Sequence, residues 1–135
     1  MAKEPGFPFT TTIDDASGTP RDISNDVNSL QFATPRGVQD ITGVNKSAIE
    51  RQLLLADAST TLSLAAFNDA SNMSHAVFKT VSSTSVNRTQ TLAISGQTLA
   101  TEMLYTDYQL ARGADGSLTA TVPGVLADGT VPTWT

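Results

Sequence analysis

Arg112-Gly113-Ala114-Asp115-Gly116-Ser117-Leu118-Thr119-Ala120-Thr121-Val122 joins a tight turn to a strict alternation. Two glycines flank an aspartate that tolerates left-handed backbone geometry, which is the composition of a β-hairpin turn. Beyond the turn, Leu118, Ala120 and Val122 fall on one face of an extended chain, and Thr119 and Thr121 fall on the other. That period of two marks a half-buried strand.

Upstream the same grammar repeats. Residues 98–112 form a long mixed run, with Ala100, Leu104, Tyr108 and Leu110 on one parity and Leu99, Met103 and Tyr105 on the other; a bulge is expected within it. Gly96-Gln97 supplies a turn before it, and in 87–95 Gln90, Leu92 and Ile94 oppose Thr89, Thr91 and Ala93. In 60–67, Leu62, Leu64 and Ala66 oppose Thr61, Ser63, Ala65 and Phe67. Residues 48–55 also read as a strand, although Glu50 and Gln52 would suit a helix. With Asp57-Ala58-Ser59 as the turn, 48–55 and 60–67 are expected to pair as an antiparallel hairpin. Leu30 and Phe32 share a face, Thr34-Pro35-Arg36-Gly37 breaks the ladder, and 38–41 resumes an extended path. One short helix is expected after Asp69 or Ser71 as its N-cap, with Met73, Ala76, Val77 and Thr80 at helical spacing. It is too short to stand alone, so the Met73, Val77 stripe must pack on a sheet.

Residues 1–27 hold Pro5, Pro8, Pro20, Gly6, Gly18 and only isolated apolar side chains, too few for a core of their own. They are expected to form an extended arm, with 28–135 as the β domain; packing of this stretch on its own domain is the alternative. Phe7 and Phe9, two apart, share one face of the arm and are candidate anchors on a neighbour. Trp134, in a turn-rich tail, is a third, with docking on its own domain as the alternative.

The chain has 135 residues and 14.2 kDa, enough for one modest core. Hydrophobic residues are 39% and charged residues 16%, and the gap is filled by 20 threonines and 13 serines, which favours strands. A net charge of −5 argues against holding a phosphate backbone. With no cysteine, disulfide and thiolate-metal chemistry are excluded. Met1-Ala2-Lys3-Glu4-Pro5 opens no apolar run, so no secretory leader or membrane span is expected. Glycosylation patterns at Asn45, Asn72 and Asn87 then carry no weight.

Catalytic patterns are absent. His75 is the single histidine, without a second imidazole to complete a metal set or a triad, and is expected on a solvated helix face. Asp14-Asp15, Glu50, Glu102 and Asp107 have no spacing that marks an acid and base pair. No phosphate-cradling glycine loop occurs, and the basic residues are scattered. No enzyme activity, cofactor or metal is expected.

Three stretches carry a resemblance: Ile41-Thr42-Gly43-Val44-Asn45-Lys46-Ser47-Ala48-Ile49-Glu50-Arg51, Ser74-His75-Ala76-Val77-Phe78-Lys79-Thr80-Val81, and Gly124-Val125-Leu126-Ala127-Asp128-Gly129-Thr130-Val131-Pro132-Thr133-Trp134. Together they cover most of the chain from about Phe32 onward, and it resembles the major tail tube proteins of siphophages that infect actinobacteria. The resemblance implies a small β-sandwich or open barrel of antiparallel strands with one flanking helix, a structural subunit of stacked hexameric rings in a virion tail made in the host cytoplasm. It also implies a tape-measure protein and a tail terminator as partners, DNA as transient cargo, and no membrane. On that reading Glu50, Glu102 and Asp107 are candidate lumen or ring-interface carboxylates. A non-catalytic capsid decoration or receptor-binding module is the alternative. A ligand-binding barrel is disfavoured because Phe32, Phe67, Phe78, Tyr105 and Tyr108 are scattered.

Overall fold

The computed structural model describes Lys3 and residues 5–135. Ten strands and one helical turn follow in order: β1 (Phe9–Asp14), β2 (Pro20–Asp22), β3 (Val27–Ala33), β4 (Arg36–Asp40), β5 (Arg51–Ala56), β6 (Ser59–Leu64), α1 (Ser74–Phe78), β7 (Arg88–Ile94), β8 (Gln97–Tyr105), β9 (Gln109–Arg112) and β10 (Leu118–Leu126). The architecture is mainly β and antiparallel, a small sandwich-like fold.

The main sheet runs β2-β1-β7-β8-β10-β6-β3, with β9 also on β10. It folds into two layers because β10 changes partner along one side. Its first half pairs with β9, Leu118 opposite Arg112, and its last three residues pair with β8, Gly124 opposite Tyr105. One layer is therefore β2-β1-β7-β8, and the other is β9-β10-β6-β3. A Cβ at Gly124 would stand 3.0 Å from both the Tyr105 ring and Thr60 Cγ2, so the corner is closed by an aromatic lying on bare backbone.

The alternation read from sequence sets what fills the space between the layers. Leu62, Leu64, Ala120, Val122, Met103 and Tyr105 are buried, and Ile13, Ile23, Val77 and Phe78 join them. Gln90 is fully buried among them and is satisfied: it accepts from Tyr105 OH at 2.6 Å, and its amide nitrogen lies 3.3 Å from Thr60 Oγ1.

Four expectations change. The first concerns the arm: Phe9–Asp14 pairs with β7, and Ile13 and Ile23 are fully buried, so from residue 9 this stretch is a layer edge of the domain. Few apolar residues suffice when they complete a core made elsewhere. Met1, Ala2 and Glu4, also assigned to the arm, lie outside the described residues.

The second concerns pairing. β5 pairs with β4, not with β6, and β6 pairs with β3 and β10. Residues 27–64 form one long ribbon, broken at Thr34-Pro35 on one strand and Asp57-Ala58 on the other, where Asp57 N–H donates to the Pro35 carbonyl at 3.1 Å. Proline has no amide to donate, so the ladder falters there.

The third concerns the helix, which spans only Ser74–Phe78 with Met73 at the N-cap; neither Asp69 nor Ser71 caps it. Asp26 does so from a distant loop, accepting Ser74 N–H at 3.1 Å and the Asn68 amide at 2.9 Å. Val77 and Phe78 are fully buried while Met73 is half-buried, so Phe78 replaces Met73 as the main anchor. Buried Arg88 holds the other end, donating to Val77 O at 2.7 Å and Thr80 Oγ1 at 2.9 Å. Burial lowers the pKa of its guanidinium below the ordinary arginine value.

The fourth concerns the run 98–112, which is interrupted at 106–108 to become β8 and β9, a sharper break than a bulge.

Candidate assembly surfaces

Among the described residues, three surfaces stand out that have no partner inside the protomer. The first is a pair of sheet borders. In the layer β9-β10-β6-β3, β9 pairs only with β10 and β3 only with β6. All four residues of β9 are exposed. Each border presents a row of unpaired backbone groups, a template for another strand. Beside β3, a slot of about 350 Å³ separates it from β1 and is lined by Phe9, Thr11, Ser24 and Leu30.

The second is the outer half of the ribbon. Every residue of β4 and all but the last of β5 is exposed, including Val38, Leu53, Leu54 and Leu55, the last 90% accessible. Ile41, Val44 and Ile49 extend the apolar exposure toward the tip. The hairpin holds its shape through its own polar contacts: Arg36 donates to Leu54 O at 2.9 and 2.6 Å, and Thr42 Oγ1 accepts Glu50 N–H at 2.7 Å. This much apolar surface on one protrusion makes the hairpin a candidate contact site. The signal was present in Leu53-Leu54-Leu55, three consecutive apolar residues where a half-buried strand has alternation.

The third is the outer face of the layer β9-β10-β6-β3. Register aligns Gln109, Thr121, Ser63 and Ser29 in one row and Pro123, Thr61 and Gln31 in the next. No ionisable side chain falls on either row. The opposite layer differs: on its outer face Thr89 Oγ1 donates to Glu102, and Asp14 lies close enough for Glu102 to influence its charge. Burial first, with Glu102 and Asp15 adding, raises the Asp14 pKa above its ordinary 3.8, against hydrogen bonds from Thr89.

The predicted residues are scattered over these surfaces. Glu50 is exposed beside the hairpin tip, half-buried Glu102 is on the outer face of β8, and exposed Asp107 accepts its neighbour's Tyr108 N–H at 2.8 Å in the break between β8 and β9. The structure does not bring the three together. Phe7 is 77% exposed, whereas Phe9 is half-buried in β1. Trp134 bridges to Leu99, its neighbour Thr135 exchanges backbone bonds with Thr98 at 2.8 and 2.9 Å, and half its surface stays accessible. His75 is not on a solvated face: its ring lies 4.5 Å from Phe67, and Nδ1 is 3.3 Å from Tyr108 OH.

Many of the acidic residues have local work. Asp15, Asp22, Asp40, Asp115 and Asp128 each accept the backbone N–H of a serine or threonine two residues on, at 2.9–3.1 Å. The repeated Asp-x-Ser/Thr is a turn device legible in the sequence. Among the described residues no three ligating side chains gather as a metal site, and no helix is long and apolar enough to cross a membrane.

No family model and no curated protein sequence matches the chain. Solved structures do. A chain of the virion of a native gene transfer agent particle aligns with TM-score 0.77 and 14% identity, over 98% of this chain and 99% of that one. A chain from the tail of an empty gene transfer agent particle, solved with C6 symmetry, gives 0.77 and 15% over the same shares. A chain in the sheath/tube terminator structure of an extracellular contractile injection system gives 0.68 and 10%, over 100% of this chain and 98% of that one. The fold is thus one used in virion tails and injection machines.

Proposed function

We propose that the chain is a non-catalytic structural subunit that joins copies of itself into a tube, as in the siphophage tails its sequence resembles. The observation that carries this reading is the four-stranded layer with both borders free, beside an apolar hairpin that has no core of its own. Border β9 of one copy pairs with border β3 of the next, so that unpaired amides are satisfied between subunits and the sheet continues around a ring. The hairpin reaches from one ring to the next and buries its leucines there. Glu50 at the tip, Phe7 and Trp134 belong to the same contacts.

Six copies, as in the C6 tail with this fold, would close twenty-four strands into a cylinder. At ~4.8 Å between strands and tilts up to ~45°, it measures about 35–50 Å across at the backbone, room for a nucleic-acid duplex. A tape-measure protein and a terminator would set and end its length, in the virion tail.

Negative-stain microscopy of the purified protein, with and without Leu53→Ser/Leu55→Ser, tests this. Rings or tubes from the parent and single particles from the variant are expected. A parent that stays monomeric at high concentration would instead favour a decoration or receptor-binding module.

A further inference from the structure

We infer that the passage through the assembled tube is walled by the uncharged hydroxyl and amide face of β9-β10-β6-β3, and that the chain's carboxylates stand away from it between the rims. The inference rests on the ring closure proposed above. Its first step is geometric. A layer closed on itself through its two borders has one face toward the axis and one away from it. Here one face is covered by the rest of the protomer, because Leu62, Leu64 and Val122 point into the core shared with β1, β7, β8 and α1. Circumference grows with radius, so the covered side, which carries the bulk, must lie outside. The bare side, with Thr61, Thr121, Ser63 and Gln31, then faces the axis.

The second step is chemical. The net charge of −5 invites the picture of an acidic bore, but the rows of that face hold no ionisable group. Glu102 and Asp14 occupy the opposite layer, and five aspartates are engaged in turns. A polyanion moving along such a wall meets neither cations that would hold it nor a dense row of like charge. Hydroxyls bridge to water and leave the bore wet. Friction is low because no ion pair must break at each step.

The chain contains no cysteine, so single thiols report position cleanly. In tubes of Thr61→Cys, a small maleimide should label the thiol while a maleimide on a polymer wider than the bore should not, and the unassembled protomer should take both. In Ala100→Cys, on the outer face of the other layer, the bulky reagent should label tubes and protomers alike. Thr61→Cys open to the bulky reagent in tubes, or closed to both, would overturn the assignment while leaving the tube intact. Failure of every protein to form tubes would overturn the ring reading itself, and this inference with it.

For the charge, parent tubes at low salt should retain a short DNA duplex no better than protomers do. Thr61→Lys/Thr121→Lys tubes should retain it at least ~10-fold more, with retention falling steeply as salt rises. Salt-sensitive retention by the parent would sink the uncharged wall.

Discussion

The ribbon 27–64 holds two hairpin halves of similar length whose fates are opposite. In the inner half, β3 and β6 alternate, and Leu62 and Leu64 are buried. In the outer half, β4 and β5 are paired just as regularly, yet Leu53 and Leu55 stand in solvent. Backbone pairing therefore does not by itself decide whether a strand's apolar face is buried. What lies across from the apolar face does. The inner half meets β10, β8 and α1 inside the same chain, whereas among the described residues the outer half has no such layer across from it.

That contrast makes graded predictions. Leu62→Ala empties a fully buried site in the inner half and should cost about 2–4 kcal/mol in urea-unfolding stability. At the corner between layers, Gly124→Ala must push a methyl against the Tyr105 ring, which its bond to Gln90 holds in place. It should cost about 1–3 kcal/mol and leave the fold intact by circular dichroism. In the outer half, Leu53→Ser/Leu55→Ser should leave protomer stability within ~0.5 kcal/mol while abolishing tubes. A large loss of protomer stability there would mean that the hairpin is structural after all.

The smallest effect concerns the turns outside both halves. Hydrogen bonds from Thr42 hold the Asp40 carboxyl below its ordinary 3.8, and bonds from Ser117 do the same for Asp115. For Asp15, desolvation pulls the other way but is outweighed by Thr19, Ser17 and the Arg21 guanidinium 3.1 Å away. A depressed folded pKa contributes stability that is fully present above 3.8 and is lost as pH falls through the folded value. Asp14, raised by burial, has the reverse sign: its contribution is full below 3.8 and fades as pH climbs through the raised value. Asp15→Asn should therefore flatten the loss of melting temperature below about pH 4, and Asp14→Asn should leave that acid limb in place.

Strand positions and faces in the C-terminal half were legible because alternation is local: Leu118, Ala120 and Val122 announce their side of the sheet without knowing their partner, whereas β1 and β2, with few apolar residues, were read as an arm. Partners were not legible. β5 alternates as well with β6 as with β4, and only the matched interruptions at Pro35 and Asp57 separate the halves. The cap on α1 was invisible for the same reason, since Asp26 lies 48 residues from Ser74. His75 could not be placed because Phe67 and Tyr108 reach it from separate segments. The candidate surfaces were half legible. Leu53-Leu54-Leu55 carried its signal in plain view, whereas the charge-free face exists only once register has aligned Thr121 with Ser63.

The interruption at Pro35 has a mechanical consequence. On either side of it the ribbon is a stiff two-stranded beam, but at the joint the Asp57–Pro35 backbone bond carries the ladder across. Bending strain applied at the tip would concentrate there, sparing the packed layers. In the ring stack proposed above, such joints would let a tube curve by swivelling many of them slightly, with each protomer kept rigid and the bore kept round.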